Sequence, residues 1–170
     1  MGEPIPPDPA WPRYTSRPFP PYRYRPDVGP HPRRDPEGHS YGDSEPTPFP
    51  FSADTWQSSE WYLYAIDLYN FAYWWECHEV FEALWNAAGR HSTEGVFFRG
   101  LLQIAAGNLK RTQGLGRAAN DLARRGLANI SAVPANYMGV DVTVFTNDVS
   151  RYFDGTNDKP ALIRLALPEK

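Results

Sequence analysis

The residues of this chain best equipped for chemistry lie in one run, WWECHEVFEALW at positions 74 to 85. His78 and Glu82 stand four apart, so on a helix their side chains lie one above the other and can reach a single ion. Glu79 sits further round, towards the edge of the same face. At 100° per residue, His78 falls about 40° from Trp74, inside an apolar stripe rather than opposite it. An imidazole beside carboxylates in such a setting suits zinc, iron or manganese, with His78 and Glu82 as ligands and Glu79 as the general base of a hydrolytic reaction. The string lacks the second histidine of the zinc-protease HExxH, and it is not the Glu-x-x-His of di-iron bundles. A third ligand would have to come from elsewhere, with Asp67, His31, His39 and His91 available.

Other polar residues fall on faces that are otherwise apolar. Asp67 and Asn70 do so in the helix before His78, and Gln103, flanked by Arg99 and Lys110, does so in the helix after it. Burying such groups costs several kcal/mol unless they pair with one another or with a metal. The pattern therefore predicts one polar cluster of Asp67, Asn70, His78, Glu79, Glu82 and Gln103 between the first three helices. Three accounts of it stand open: a structural hydrogen-bond network, a divalent-metal site, and a pocket for a small anionic ligand using Arg99, Lys110 and the histidines. Cys77 next to His78 is a poor nucleophile–base pair, because adjacent helical positions point about 100° apart.

The elements that hold these residues follow from the change in pattern along the chain. Fifteen of the eighteen prolines lie in residues 1 to 50, which excludes a normal helix or central strand there. A plain polyproline tail would lack aromatics, yet this segment carries Trp11, Tyr14, Phe19, Tyr22 and Tyr24 among others. Both an arm wrapped on the core and a floppy tail are compatible with it, with residues 1 to about 10 disordered. From residue 54 the period turns helical. The expected helices are Trp56 to Phe71 with Asp54 as N-cap, Trp74 to Ala88 stopped by Gly89, and a central one near Glu94 to Gln113. Arg117 to Ile130 follows, with Ala118, Leu122, Leu127 and Ile130 inward, and then Val142 to Phe153. Trp61, Trp74 and Trp85 are expected in the core, and Trp75, off the main stripe, against the arm or a partner. The predicted fold is all-α: a small antiparallel bundle of four to five helices with an extended Pro-rich N-terminal arm. The predicted division is arm 1–53, bundle 54–155 and extended tail 156–170.

Composition narrows the class further. The formal net charge of −3 gives no basic face for nucleic acid, and Arg124 and Arg125 read as a solvated helix surface. One cysteine excludes an internal disulfide, and no apolar run is long enough for a membrane span. A cytoplasmic setting is the expectation.

The residues also resemble a known family. The helix motif HE-x-x-E-x-x-W (His78, Glu79, Glu82, Trp85) is followed by GL-x-Q-x-A-A (Gly100, Leu101, Gln103, Ala105, Ala106), then by GRAANDLARRGL at 116 to 127. This combination is similar to the bacterial and archaeal domain of unknown function numbered 309, over about residues 60 to 130 and more weakly at 138 to 145. The resemblance implies an all-α cytoplasmic bundle that self-associates in many members, and some members carry the label of metal-dependent hydrolase. It raises the weight of His78, Glu79 and Glu82 as a shared site and says nothing of the arm. Two functions follow as expectations: a metal- or small-ligand-binding site of hydrolase type, or a non-enzymatic interaction or homo-oligomerisation module whose polar cluster is structural.

Overall fold

Serine, aspartate and glycine divide the chain beyond the prolines into helices. A computed structural model describes residues 3–26 and 28–167. A 3₁₀ segment, Ala53–Ser58, leads into α1 (Glu60–Asn70), α2 (Trp74–Ala88), α3 (Thr93–Thr112) and α4 (Gly116–Ile130). A two-residue-per-strand hairpin, β1 (Asn136–Tyr137) and β2 (Val140–Asp141), precedes α5 (Val142–Phe153). Ser59, Ser92 and Asp141 each accept a backbone N–H of the first turn that follows, closing the open ends of α1, α3 and α5. Gly89 ends α2 at φ +87° and Gly114 turns the chain between α3 and α4 at φ +76°, a left-handed conformation that costs glycine little.

The fold is mostly helical, and the bundle is built on α3. That helix packs against α2 and α4, α1 packs against α2, and α5 against α4. Phe97, Phe98, Leu101, Ile104 and Ala105 of α3 are buried together with Trp74, Cys77 and Phe81 of α2 and Tyr62, Ile66 and Tyr69 of α1. Where α3 meets α4 the two backbones come close at Gly100 and Gly126. A Cβ on Gly126 would stand 2.9 Å from the Gly100 carbonyl, and one on Gly100 would stand 2.5 Å from Ile130 Cγ1.

Four sequence expectations need correction. First, the helix predicted from Trp56 is broken. Thr55 leaves helical geometry and Ser59 is extended, so Ser59 rather than Asp54 caps α1. The break turns Trp56 under Gly139, where the absence of a side chain makes room for the indole. Second, α4 buries Ala119, Ala123, Gly126 and Ile130, while Ala118 faces solvent, because the close helix approach selects the smallest residues. Third, Trp61 and Trp85 are only partly buried and pack on the edge of the core. Fourth, the hairpin was not foreseen. Its turn, Met138-Gly139, takes positive φ at both residues, which suits a two-residue connection.

The proline-rich residues lie against α1 and α2. Phe19 stacks on Tyr73 at 4.8 Å and meets Phe71 at 5.0 Å. Tyr64 and Tyr73 donate their hydroxyls to the carbonyls of Pro18 and Pro20, and Arg23 Nε donates to the Phe71 carbonyl. Proline has no N–H to donate, so a proline-rich stretch is short of its own donors, and at Pro18 and Pro20 side chains of the bundle supply them. The expected disorder at residues 1 to about 10 includes Met1 and Gly2, which lie outside the described residues, as do positions 168–170 of the expected tail.

Candidate functional site

The predicted cluster separates into three places. Asp67, fully buried on α1, accepts the backbone N–H groups of Tyr14 and Thr15 at 2.7 and 2.9 Å and the Thr15 hydroxyl at 2.8 Å, with Arg13 Nε at 3.4 Å. Asn70, one turn on, binds the backbone of Ile163 in both directions, each bond 2.8 Å. Gln103 accepts from Asn129 of α4 at 2.8 Å. These three residues join segments of the chain, and none of these hydrogen bonds involves His78. Arg99 is exposed and lies over the Trp85 ring, and half-buried Lys110 sits near the far end of α3 from its cap. Neither builds an anion pocket with the histidines.

His78, Glu79 and Glu82 do come together. One ligand atom from each lies within 4.8 Å of the others, and all three side chains are partly exposed. Helical spacing accounts for this through Glu82, which stands one turn from both others, four positions after His78 and three after Glu79. The His78 Nδ1 stands 3.9 Å from Glu79 Oε1, and Arg33 Nε from the arm stands 3.4 Å from Glu79 Oε2. The neighbouring His78 imidazole holds the Glu79 carboxyl below its ordinary pKa, with partial burial opposing and the charges of Arg33 and His31 assisting. Glu79 is therefore a carboxylate throughout the neutral range.

Neither arm histidine joins this group. His31 packs edge-on to Trp75 at 5.4 Å and accepts the N–H groups of Arg33 and Arg34 at its Nδ1. His39 places Nε2 at 3.0 Å from Glu76 Oε1, and the same oxygen accepts the Tyr24 N–H at 2.8 Å. Exposed His91 stands in the α2–α3 connection. Trp75 contacts the arm, meeting Tyr24 at 5.3 Å.

Between the arm and the α1–α2 face lies a cavity of about 350 Å³. Its charged lining comes from Arg17, Arg33, His39 and Asp43 of the arm and from Glu76 and Glu79 of α2, and Trp61 and Trp75 contribute aromatic surface. Glu79 thus belongs both to the His78–Glu82 group and to the cavity. Sequence reasoning passed over Glu76, Arg33 and Arg17. Glu76 stands one turn before Glu79 on the same helix, a spacing visible in the sequence, whereas the arrival of Arg17 and Arg33 depends on how the arm folds back.

Cys77 is buried against the Trp74 carbonyl, and burial, aided by Glu76, pushes its thiol well above the ordinary range. It is a core residue rather than a nucleophile.

No curated protein matches the chain. Residues 62–122 match the family model described as Domain of unknown function (DUF309). That span holds both helix motifs and the His78–Glu79–Glu82 group, while the arm residues of the cavity lie outside it. From α1 to the first turns of α4, then, the chain resembles the DUF309 family.

Proposed function

We propose that His78, Glu79 and Glu82 bind a divalent transition-metal ion and that this centre, open to the arm-covered cavity through Glu79, serves a ligand-binding or hydrolytic function. The observation that carries the reading is the convergence of the three donor atoms within 4.8 Å. One imidazole and two carboxylates favour zinc, iron or manganese over calcium, which takes oxygen donors alone. Three donors from a single helix leave the remaining coordination positions to water or a ligand, as catalytic sites require. A bound ion of this kind supplies Lewis acidity and lowers the pKa of a coordinated water.

The chain's own groups have distinct parts in this proposal. Glu79, whose ligand atom lies within 4.8 Å of those of His78 and Glu82, acts as the third ligand. Arg33 holds the second Glu79 oxygen and limits the charge repulsion between Glu79 and Glu82. The buried single cysteine, and the absence among the described residues of any helix long and apolar enough to cross a membrane, support a cytoplasmic setting.

Metal analysis of tag-free protein tests this reading, alongside His78→Ala and Glu82→Ala variants checked by circular dichroism. Expected is near-stoichiometric zinc, iron or manganese in the wild type, lost in both folded variants. Wild-type protein that takes up none of these ions on incubation overturns it. One observation favours the second reading, an interaction or self-association module: Asp67, Asn70 and Gln103 are all internally hydrogen-bonded. A metal-free protein whose mass by light scattering doubles with concentration supports that alternative.

A further inference from the structure

Arg33 meets Glu79 by charge and not by a hydrogen bond. Its Nε stands 3.4 Å from Glu79 Oε2, yet that nitrogen is buried without a hydrogen-bond partner among the described residues. A group that orients a ligating carboxylate does so through a directional hydrogen bond. Arg33 Nε supplies none, so what it brings to Glu79 is a positive charge. The charge is carried by a turn-rich stretch of the arm. Asp35 donates its N–H to the His31 carbonyl at 3.1 Å and Ser40 to the Pro32 carbonyl at 3.0 Å, so residues 31–43 hold their own shape. The stretch rests on α2 through His31 against Trp75, His39 at Glu76 and Arg33 at Glu79. Of these three footholds, Glu79 alone also belongs to the His78–Glu82 group.

We infer that Arg33 is a stand-in for the metal ion, so that ion binding at His78, Glu79 and Glu82 and docking of residues 31–43 on α2 oppose each other. This regulation rests on the cation site proposed above. Without an ion, the guanidinium offsets the negative charge that Glu79 and Glu82 place side by side. With a divalent ion on Glu79, two positive charges share one carboxylate. The Arg33 and Glu79 side chains are 21% and 27% exposed, so water and salt screen that repulsion only in part. The effect is reciprocal: the factor by which docked Arg33 weakens the ion is the factor by which the ion weakens docking. His31 and His39 keep their own partners on α2, so the ion loosens the stretch rather than freeing it.

Calorimetric titration of the full chain with zinc or manganese chloride tests this in wild type, Arg33→Gln and Arg33→Lys. Arg33→Gln should bind the ion about tenfold more tightly, the scale of one like charge a few ångströms away. Arg33→Lys keeps the charge and should stay close to wild type. The gap should narrow as salt rises from about 20 mM to about 500 mM, as screening requires. Hydrogen exchange gives a readout that needs no variant: in wild type, the Asp35 and Ser40 amides should exchange several-fold faster with the ion than without it. If neither wild type nor Arg33→Gln takes up an ion, the cation site fails and the inference with it. If Arg33→Gln binds the ion no more tightly than wild type, the site stands and the inference alone is overturned. Arm exchange that the bound ion leaves unchanged, or slows, overturns it as well.

Discussion

Trp74 and Trp85 share one helix and one stripe, yet their surroundings differ enough to separate their energetic roles. Trp74 is 2% exposed and meets Tyr69 edge-on at 5.2 Å. Trp85 is partly exposed, donates its indole N–H to the Arg90 carbonyl, and carries the guanidinium groups of Arg90 and Arg99 at 4.7 and 5.4 Å from its ring. Replacing Trp74 with Ala should cost about 3–5 kcal/mol of stability, as for a fully buried aromatic. Replacing Trp85 with Ala should cost about 1–2 kcal/mol, since surface cation–π contacts and partial burial are worth less. Urea denaturation of both variants measures the difference, and equal losses would refute this ordering. Cys77 offers a second check at this scale. A buried thiol with a raised pKa should not react with Ellman's reagent in native protein and should release one equivalent once guanidinium unfolds the chain. Rapid native labelling would contradict the packing of α2 against α3.

Among elements, the clearest dependence is that of the arm on α1. Asp67 is a buried carboxylate whose hydrogen-bond donors all come from residues more than fifty positions upstream. Asp67→Ala strands the Tyr14 and Thr15 N–H groups and should cost about 2–4 kcal/mol. Hydrogen exchange at Tyr14 and Thr15 should accelerate in that variant while the centre of α3 stays protected, since local opening need not involve the core. Uniform acceleration over the whole chain would show instead that the arm and bundle open as one unit. The helices themselves were legible in the sequence: α2 and α5 occupy their predicted residues, because capping and 3.6-residue periodicity are local signals. The start of α1 was not, because the need to bury Trp56 beneath a distant glycine overrides local helix preference. The inward face of α4 was misjudged for a related reason. Hydrophobicity favours Leu122 and Leu127 as core, whereas the backbone contact at Gly100 and Gly126 demands small residues.

For the molecule as a whole, the candidate site was legible only where its members lie on one helix. His78, Glu79 and Glu82 could be placed together because helical geometry fixes their separation. Asp67, Asn70 and Gln103 could not be excluded from that group by pattern, since an inward-facing polar residue reads the same whatever partner it meets. The partners that decided the matter, Tyr14, Ile163 and Asn129, are far away in sequence for two of the three. Glu76 and Arg17 were missed because their cavity exists only when an unpatterned proline-rich segment is folded back on α1 and α2.

Asp67 and Asn70 are one turn apart on α1, and they hold segments from opposite regions of the sequence: residues 14 and 15 on one, residue 163 on the other. Those segments also touch each other, Trp11 donating to the Ile163 carbonyl and Tyr14 accepting the Leu165 N–H. During synthesis the stretch around Tyr14 leaves the ribosome well before residues 163–165 exist. It must therefore wait, solvated, while the local helices form around α3, and it reaches its final partners only when the last of them emerges. The contacts of highest sequence separation are thus the last to form, which makes the joining of residues 11–14 to residues 163–165 beside α1 a late event in the life of each new chain.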